Sequence, residues 1–245
     1  MLVIFRNKDL FKKCNIKLNN ENWTLNDFLE TSNKLKKCGV FGISFETNPP
    51  LFYLPYLMSE GGGILSDDTK TNIFNSKESQ KGLNFYADLR KKYHVAPTSS
   101  ESANLTMAQM FLNQKTGMHL TGHWLVPKYT KEAKFEWDTI TFPRGRKGSV
   151  VSLDASGWAI SKSSDHKDEA KKLIEFLSSK ESIENFTKSG LIVPARKDVI
   201  RGEFKNSRLN NAFIDAVKTA KPTPVSADYN ELTDKVRQET EPLFN

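Results

Sequence analysis

Apolar residues recur at helical spacing over residues 24–38, where Leu25, Phe28, Leu29 and Leu35 share one face. Thr24 is followed three positions on by Asp27, an N-cap arrangement, and Gly39 stops the turn. Residues 40–45 form a short apolar run of strand length. Asn48-Pro49-Pro50 breaks that run, and a second apolar helix is expected over 51–59, ending at Gly61-Gly62-Gly63. Ser76 caps a third helix that runs to Tyr93, with Leu83, Tyr86, Leu89 and Tyr93 on one face and Pro97 closing it. Thr106 caps a short helix over 107–113, and residues 118–121 read as a strand that delivers Gly122-His123-Trp124 at its exit.

The second half continues in the same alternation. A strand over 137–142, a basic turn over 144–148 and a β-rich stretch over 150–161 precede an amphipathic helix opened by Asp165. Its Ala170, Leu173, Ile174 and Leu177 are expected to face inward. Helices near 181–188, 210–218 and 230–243 complete the chain. Strands alternating with helices predict α/β layers, and no internal repeat is visible.

Composition narrows the function classes. Gly 13 and Pro 10 among 245 residues, with 38% hydrophobic residues, exclude collagen-like, low-complexity and wholly disordered chains. The longest apolar runs, 51–58 and 2–5, fall short of the roughly 20 residues of a membrane helix. The net charge of +7 comes from lysines scattered singly and in pairs. The densest basic cluster, 144–147, carries no interleaved aromatics, so nucleic acid is not an expected partner. Cys14 and Cys38 lack the paired spacing of a zinc or redox site, and a single bridge between them stays open. The opening Met-Leu-Val-Ile-Phe-Arg has an apolar stretch of four, shorter than a secretory signal requires, so no export signal is expected in it.

The order of several short motifs carries a family resemblance. Asn7-Lys8-Asp9-Leu10-Phe11, Trp23-Thr24 with Asp27-Phe28, Gly61-Gly62, Gly122-His123-Trp124, Gly157-Trp158-Ala159-Ile160-Ser161, residues 170–177 and 190–194 follow one another over nearly the whole chain. In that order and spacing the chain resembles the carbohydrate-type extracellular solute-binding proteins of ABC importers, the maltose-binding class. The resemblance implies a type II periplasmic-binding-protein-like α/β fold, in which two lobes hold a sugar by aromatic stacking and closure. It places residues 6–152 and 201–245 in a nearly complete second lobe and 153–200 in a partial first lobe, with 1–5 as the crossover between lobes. In relatives the Asn-Lys-Asp motif lies well inside the sequence, and the chain continues past the segment resembling 241–245. The chain is therefore expected to be an internal fragment, with the strand around 157–160 separated from its pairing partners. A monomer at the extracellular face or in the periplasm, docking on ABC permease membrane subunits, is implied as well.

Candidate ligand residues follow partly from chemistry and partly from the resemblance. Trp124 leaves its strand through Gly122, which gives the backbone room to turn, and in the family a tryptophan here stacks on a sugar ring. His123 beside it offers a ring nitrogen to a hydroxyl, or a helix cap. Asp154, Ser156 and Gly157 form a polar, small-residue stretch, suited to accepting from sugar hydroxyls and bringing backbone N–H groups close, or to an ordinary capped loop. Trp158 in the same stretch is expected in the core. Tyr229 lies where relatives carry a stacking aromatic after a proline-rich turn, here Pro222-Thr223-Pro224, although it could equally just open the last helix. Pro49 and Leu51 stand where maltose binders place an acidic residue and an aromatic. Asn48 and Phe52 are the nearest substitutes, with helix cap and core residue as their other readings.

Catalysis finds little support. There is no GxSxG, HExxH, P-loop or GxGxxG pattern, and Asp67-Asp68 are adjacent residues that point apart rather than a glycosidase pair. No histidine among His94, His119, His123 and His166 has a second ligand at metal spacing, so neither metal nor cofactor is expected. The reading is a non-covalent sugar binder. A phosphorylated polyol, another small polar solute, or a remnant without tight binding are its alternatives.

Overall fold

The structure is a computed structural model that describes residues 1–18, 22–46, 49–102, 104–200, 203–207 and 209–244. Four strands, β1 (Leu2–Asn7), β2 (Phe41–Ser44), β3 (Thr116–Gly122) and β4 (Trp137–Ile140), form one sheet in the order β2-β3-β1-β4. The apolar run at the start of the chain is thus a central strand. Its neighbours β3 and β4 run antiparallel to it, with Leu2 opposite Gly122 and Asn7 opposite Trp137, while β2 lies parallel to β3. A separate two-stranded parallel pair joins β5 (Ser152–Leu153) to β6 (Lys221–Pro222).

Helices form where the sequence supplies local start and stop signals. The first, α1 (Lys8–Lys13), has no counterpart in the sequence pattern; the Asn7 side chain caps it by accepting from the Leu10 N–H at 2.9 Å. Helix α2 (Leu25–Lys37) opens on a full capping box between Thr24 and Asp27. Next come α3 (Pro50–Glu60), which ends where Gly61 takes the left-handed region, and α4 (Lys77–Lys91), capped by Ser76. A second capping box, Thr106 with Gln109, starts α5 (Met107–Leu112). After α6 (Val126–Glu132) come α7 (Lys167–Leu177), α8 (Lys180–Lys188), α9 (Lys197–Ile200), α10 (Glu203–Asn206), α11 (Asn211–Thr219) and α12 (Tyr229–Phe244). Cys14, which ends α1, and Cys38, which ends α2, are joined as a disulfide with their Cα atoms 6.1 Å apart.

Helices α2 and α5 pack on the β2–β3 side of the sheet, α11 packs on β1 and β4, and α3 and α4 lie against each other beneath α12. Between them runs an aromatic seam of Phe45, Tyr53, Tyr56, Tyr86 and Phe142, which Phe244 joins at 5.1 Å from Tyr86. The α3–α4 contact is close because Gly82 has no side chain: a Cβ there would stand 2.6 Å from the Tyr56 carbonyl oxygen. Among the described residues no helix is long and apolar enough to cross a membrane.

Residues 154–177 depart from expectation, whereas the helices expected near 181–188, 210–218 and 230–243 are found as α8, α11 and α12. Residues 154–161 hold no regular structure, so the β-rich stretch is confined to Ser152–Leu153; a strand needs a neighbour to complete its hydrogen bonds, and among the described residues none pairs with this stretch. Trp158, expected in the core, is 62% exposed. Helix α7 begins at Lys167 rather than Asp165, and none of its residues is buried: Leu173 is exposed and Ala170, Ile174 and Leu177 are half-buried. The spacing correctly marks an apolar face, but the described residues cover it only in part. Replacing Leu173 by Lys and Phe176 by Glu should lower the fluorescence of an added hydrophobic dye and reduce self-association. Stability should stay within about 0.5 kcal/mol of the parent. A urea-unfolding loss well above that would mean the face is buried in solution.

Candidate functional site

Strand β3 is buried along its whole length and ends at Gly122, beside the start of β1. A short 3-10 turn, His123–Leu125, follows directly, and Trp124 leaves it with 46% of its surface exposed. A Cβ built on Gly122 would stand 1.9 Å from the Trp124 Cζ3, so the indole lies back over the bare glycine backbone. The sequence spacing thus has a steric cause: only glycine leaves room for this ring position. One large aromatic is held at the edge of a rigid sheet and still meets solvent.

His123 points the other way. Only 5% of it is exposed. Its Nε2 lies 2.8 Å from the Asn210 Oδ1, and its ring meets Phe213 edge-on at 4.8 Å. Asn210 in turn donates to the Phe204 carbonyl at 3.0 Å. Burial pushes the imidazole below its ordinary pKa, against an opposing pull from the Asn210 hydrogen bond, so the ring is held neutral. It lines a cavity of about 440 Å³ with Glu184, Thr187, Lys188 and Ser207. Phe52 is 7% exposed and belongs to the core, so it offers no face to a solute. Asn48 lies outside the described residues.

Asp154 and Tyr229 are brought together through the β5–β6 pair. Asp154 follows β5, and Thr223 follows β6 and donates its hydroxyl to the Asp154 carboxylate at 2.7 Å. The Asp154 charge reaches Tyr229, whose phenol is raised first by burial and then by that carboxylate. It also reaches the amino group of Met1, one residue before the β1 position that faces Gly122. The Gly122–Trp124 turn thus adjoins the start of β1, and the Asp154 charge is felt at the same end of that strand. Ser156 and Gly157 are exposed, and a Cβ on Gly157 would meet nothing within 4 Å.

Sequence reasoning missed Thr223, Lys147 and Lys221. Tyr229 and Thr223 share the lining of a second cavity, of about 420 Å³, with these lysines and the glycine loop 61–63. The two-residue strands that assemble it carry no periodicity; the only available hints were the proline-flanked threonine and the basic turn. Among the described residues no group of three or more His, Cys, Asp or Glu side chains is gathered as a metal site. The arrangement offers an aromatic platform, a carboxylate acceptor and a half-buried tyrosine, which is binding chemistry.

A family profile described as bacterial extracellular solute-binding protein matches residues 1–212. A protein of Brucella abortus (strain 2308), named as a binding protein, is 23% identical over 239 residues, covering 94% of this chain and 57% of that protein. Among solved structures, the ABC substrate-binding protein of Listeria monocytogenes in complex with cycloalternan is similar at a TM-score of 0.90 and 25% identity, over 100% of this chain and 64% of its own. An ABC transporter solute-binding protein of Thermotoga lettingae bound with α-D-tagatose gives 0.83 at 23% identity, over 99% of this chain and 64% of its own. This chain thus spans 57% of the curated relative and 64% of each of these two solved ones.

Proposed function

The chain belongs to the bacterial extracellular solute-binding protein family, and from that premise we propose that it is a substrate-binding component of an ABC importer. Its fold is periplasmic-binding-protein-like α/β. In this reading it takes up a sugar or oligosaccharide between two lobes without covalent chemistry, acts as a monomer and hands the solute to membrane permease subunits. The family consists of solute-binding proteins rather than enzymes. Residues 6–152 and 201–245 serve as the second lobe, 153–200 as part of the first, and 1–5 as the crossing between them. The proposed location is the extracellular face or periplasm, and the Cys14–Cys38 bridge supports it because such bonds persist in oxidising compartments.

The observation that carries the reading is Trp124, a solvent-facing indole seated on Gly122 at the end of a buried strand. A pyranose presents an apolar C–H face that packs on such a ring, while its hydroxyls seek groups such as the Asp154 carboxylate and the Tyr229 hydroxyl. The similar Listeria monocytogenes protein that holds cycloalternan favours an oligosaccharide as the solute.

Maltotriose or cycloalternan added to the chain should quench tryptophan fluorescence. Trp124→Ala should abolish that response with far-UV circular dichroism unchanged. Gly122→Ala should weaken it strongly, because the new methyl takes the space of the indole ring. The residues proposed to touch solute are exposed or half-buried, so affinity is expected near millimolar, about 4 kcal/mol short of micromolar binding. Calorimetric titration provides the check. Tight binding that survives Trp124→Ala would move the site elsewhere, and no response to any saccharide would end the sugar reading.

A further inference from the structure

The cavity beside Tyr229 has an apolar floor and a cationic rim. Its floor is built from Leu54, Met58, Ile64, Ile73 and Val150, and its volume of about 420 Å³ falls within the range of small-molecule sites. Lys147 and Lys221 stand among its lining residues. Gly61, at a φ of +99°, closes helix α3 and leaves space for the Lys147 stem: a Cβ there would stand 3.1 Å from the Lys147 Cγ. The two lysines differ from their neighbour Arg146, whose guanidinium is engaged by the Glu60 carbonyl and the Glu78 carboxylate, each at 3.2 Å. Lys147 makes no ion pair among the described residues. Lys221 has only a loose one, 3.7 Å from an Asp67 carboxylate that is itself largely exposed.

The charges that oppose an anion here are Asp67 on the rim and Asp154 just outside the lining. Asp154 already accepts the Thr223 hydroxyl, and Asp67 can swing into water at little cost. Two ammonium groups then stand among the lining residues beside the apolar floor, free to meet an anion that enters. Thr223 and Tyr229 belong both to this lining and to the Asp154 cluster. A solute resting at the Asp154–Tyr229 surface therefore reaches the cavity without leaving it.

We propose that this cavity is an anion-accepting extension of the solute site, and that the solute is a saccharide bearing a phosphate, sulfate or carboxylate held by Lys147 and Lys221. This rests on the solute-binding reading above. The test compares glucose, glucose 6-phosphate, glucuronate and inorganic phosphate by amide chemical-shift titration of the full chain. The parent is run beside Lys147→Gln/Lys221→Gln, two exposed positions at which the fold should tolerate glutamine. Glucose 6-phosphate or glucuronate should bind roughly tenfold tighter than glucose, shift the amides of residues 61–63, 147 and 223, and lose that advantage in the double variant and at high salt. Whether phosphate or carboxylate is preferred follows from which of the two gains more. Glucose shifts near Trp124 with no gain for either charged sugar, or a gain that survives the double variant, would overturn the anion site while leaving the sugar reading intact. Inorganic phosphate binding at residues 61–63 as tightly as the charged sugars, without any glucose response, would uphold the cavity and remove the sugar reading. Silence from all four probes would remove both.

Discussion

Acidification from pH 6.5 toward pH 3 should strip this fold of stability, and His119 should account for a slope of about 1.4 kcal/mol per pH unit. His119 lies in the middle of β3, opposite Phe5 of β1 and Ser44 of β2, and only 2% of it is exposed. Its Nδ1 is hydrogen-bonded to the Tyr129 hydroxyl, and Phe111 packs beside the ring at 6.1 Å. Burial moves its pKa from the ordinary 6.5 down to about 3. Between those values the unfolded chain takes up a proton that the folded chain refuses, so stability falls as pH falls and the loss is complete near the folded value. Integrated over that window the cost is about 5 kcal/mol, comparable to the whole stability of many domains. His123, also lowered by burial, adds in the same direction, and so do Asp27 and Glu101 below the carboxylate range. Urea unfolding at a series of pH values measures the slope. His119→Gln removes the titration and should flatten it by one proton's worth. An unchanged slope in that variant would mean that His119 is charged inside the sheet.

Local signals in the sequence translated directly into structure. Thr24 with Asp27 and Thr106 with Gln109 form capping boxes because their partners are three residues apart, and Gly61 stops α3 because glycine enters the left-handed region without a steric cost. Helix α1 escaped notice because its cap is the Asn7 side chain, inside a motif whose six helical residues are too few to show a period. The run Leu2–Phe5 could be read as apolar, but its central place in the sheet depends on pairing with β3 and β4, far along the chain. Helix α7 shows the limit most plainly. Spacing tells which side of a helix is apolar, and only the tertiary structure tells what covers that side.

The candidate site divides along the same line. Gly122 and Trp124 are two positions apart, and their steric relation is local enough to follow from the glycine alone. His123 lies between them yet turns inward, because Asn210 and Phe213 of a distant segment receive it. Asp154 meets Thr223 only through the β5–β6 pair, too short to leave a pattern in either segment. Residue chemistry pointed to Asp154, and family resemblance to Tyr229. Neither could name the lysines around the cavity, which depend on this chain's own side chains.

Arg90→Leu should cost about 4 kcal/mol, the largest loss expected from one substitution outside the histidine effect. By helical spacing Arg90 sits one turn beyond Tyr86, on the face that packs against the aromatic seam, and it is 1% exposed. Its Nε donates to the Pro97 carbonyl at 3.1 Å and its Nη2 to the Phe45 carbonyl at 3.0 Å. The guanidinium also lies 4.2 Å over the Phe45 ring and 5.3 Å from that of Tyr86. One side chain thus ties the end of α4, the turn at Pro97 and the exit of β2 together. Leucine restores part of the volume but leaves the two carbonyls without their charged donor, and a buried acceptor stripped of its partner carries most of that cost. Arg90→Lys keeps the charge but loses the planar fork that reaches both carbonyls and stacks on Phe45, so it should recover less than half of the loss. Denaturant unfolding of both variants at neutral pH tests this ordering. Lysine performing as well as arginine would show that the charge alone holds this junction.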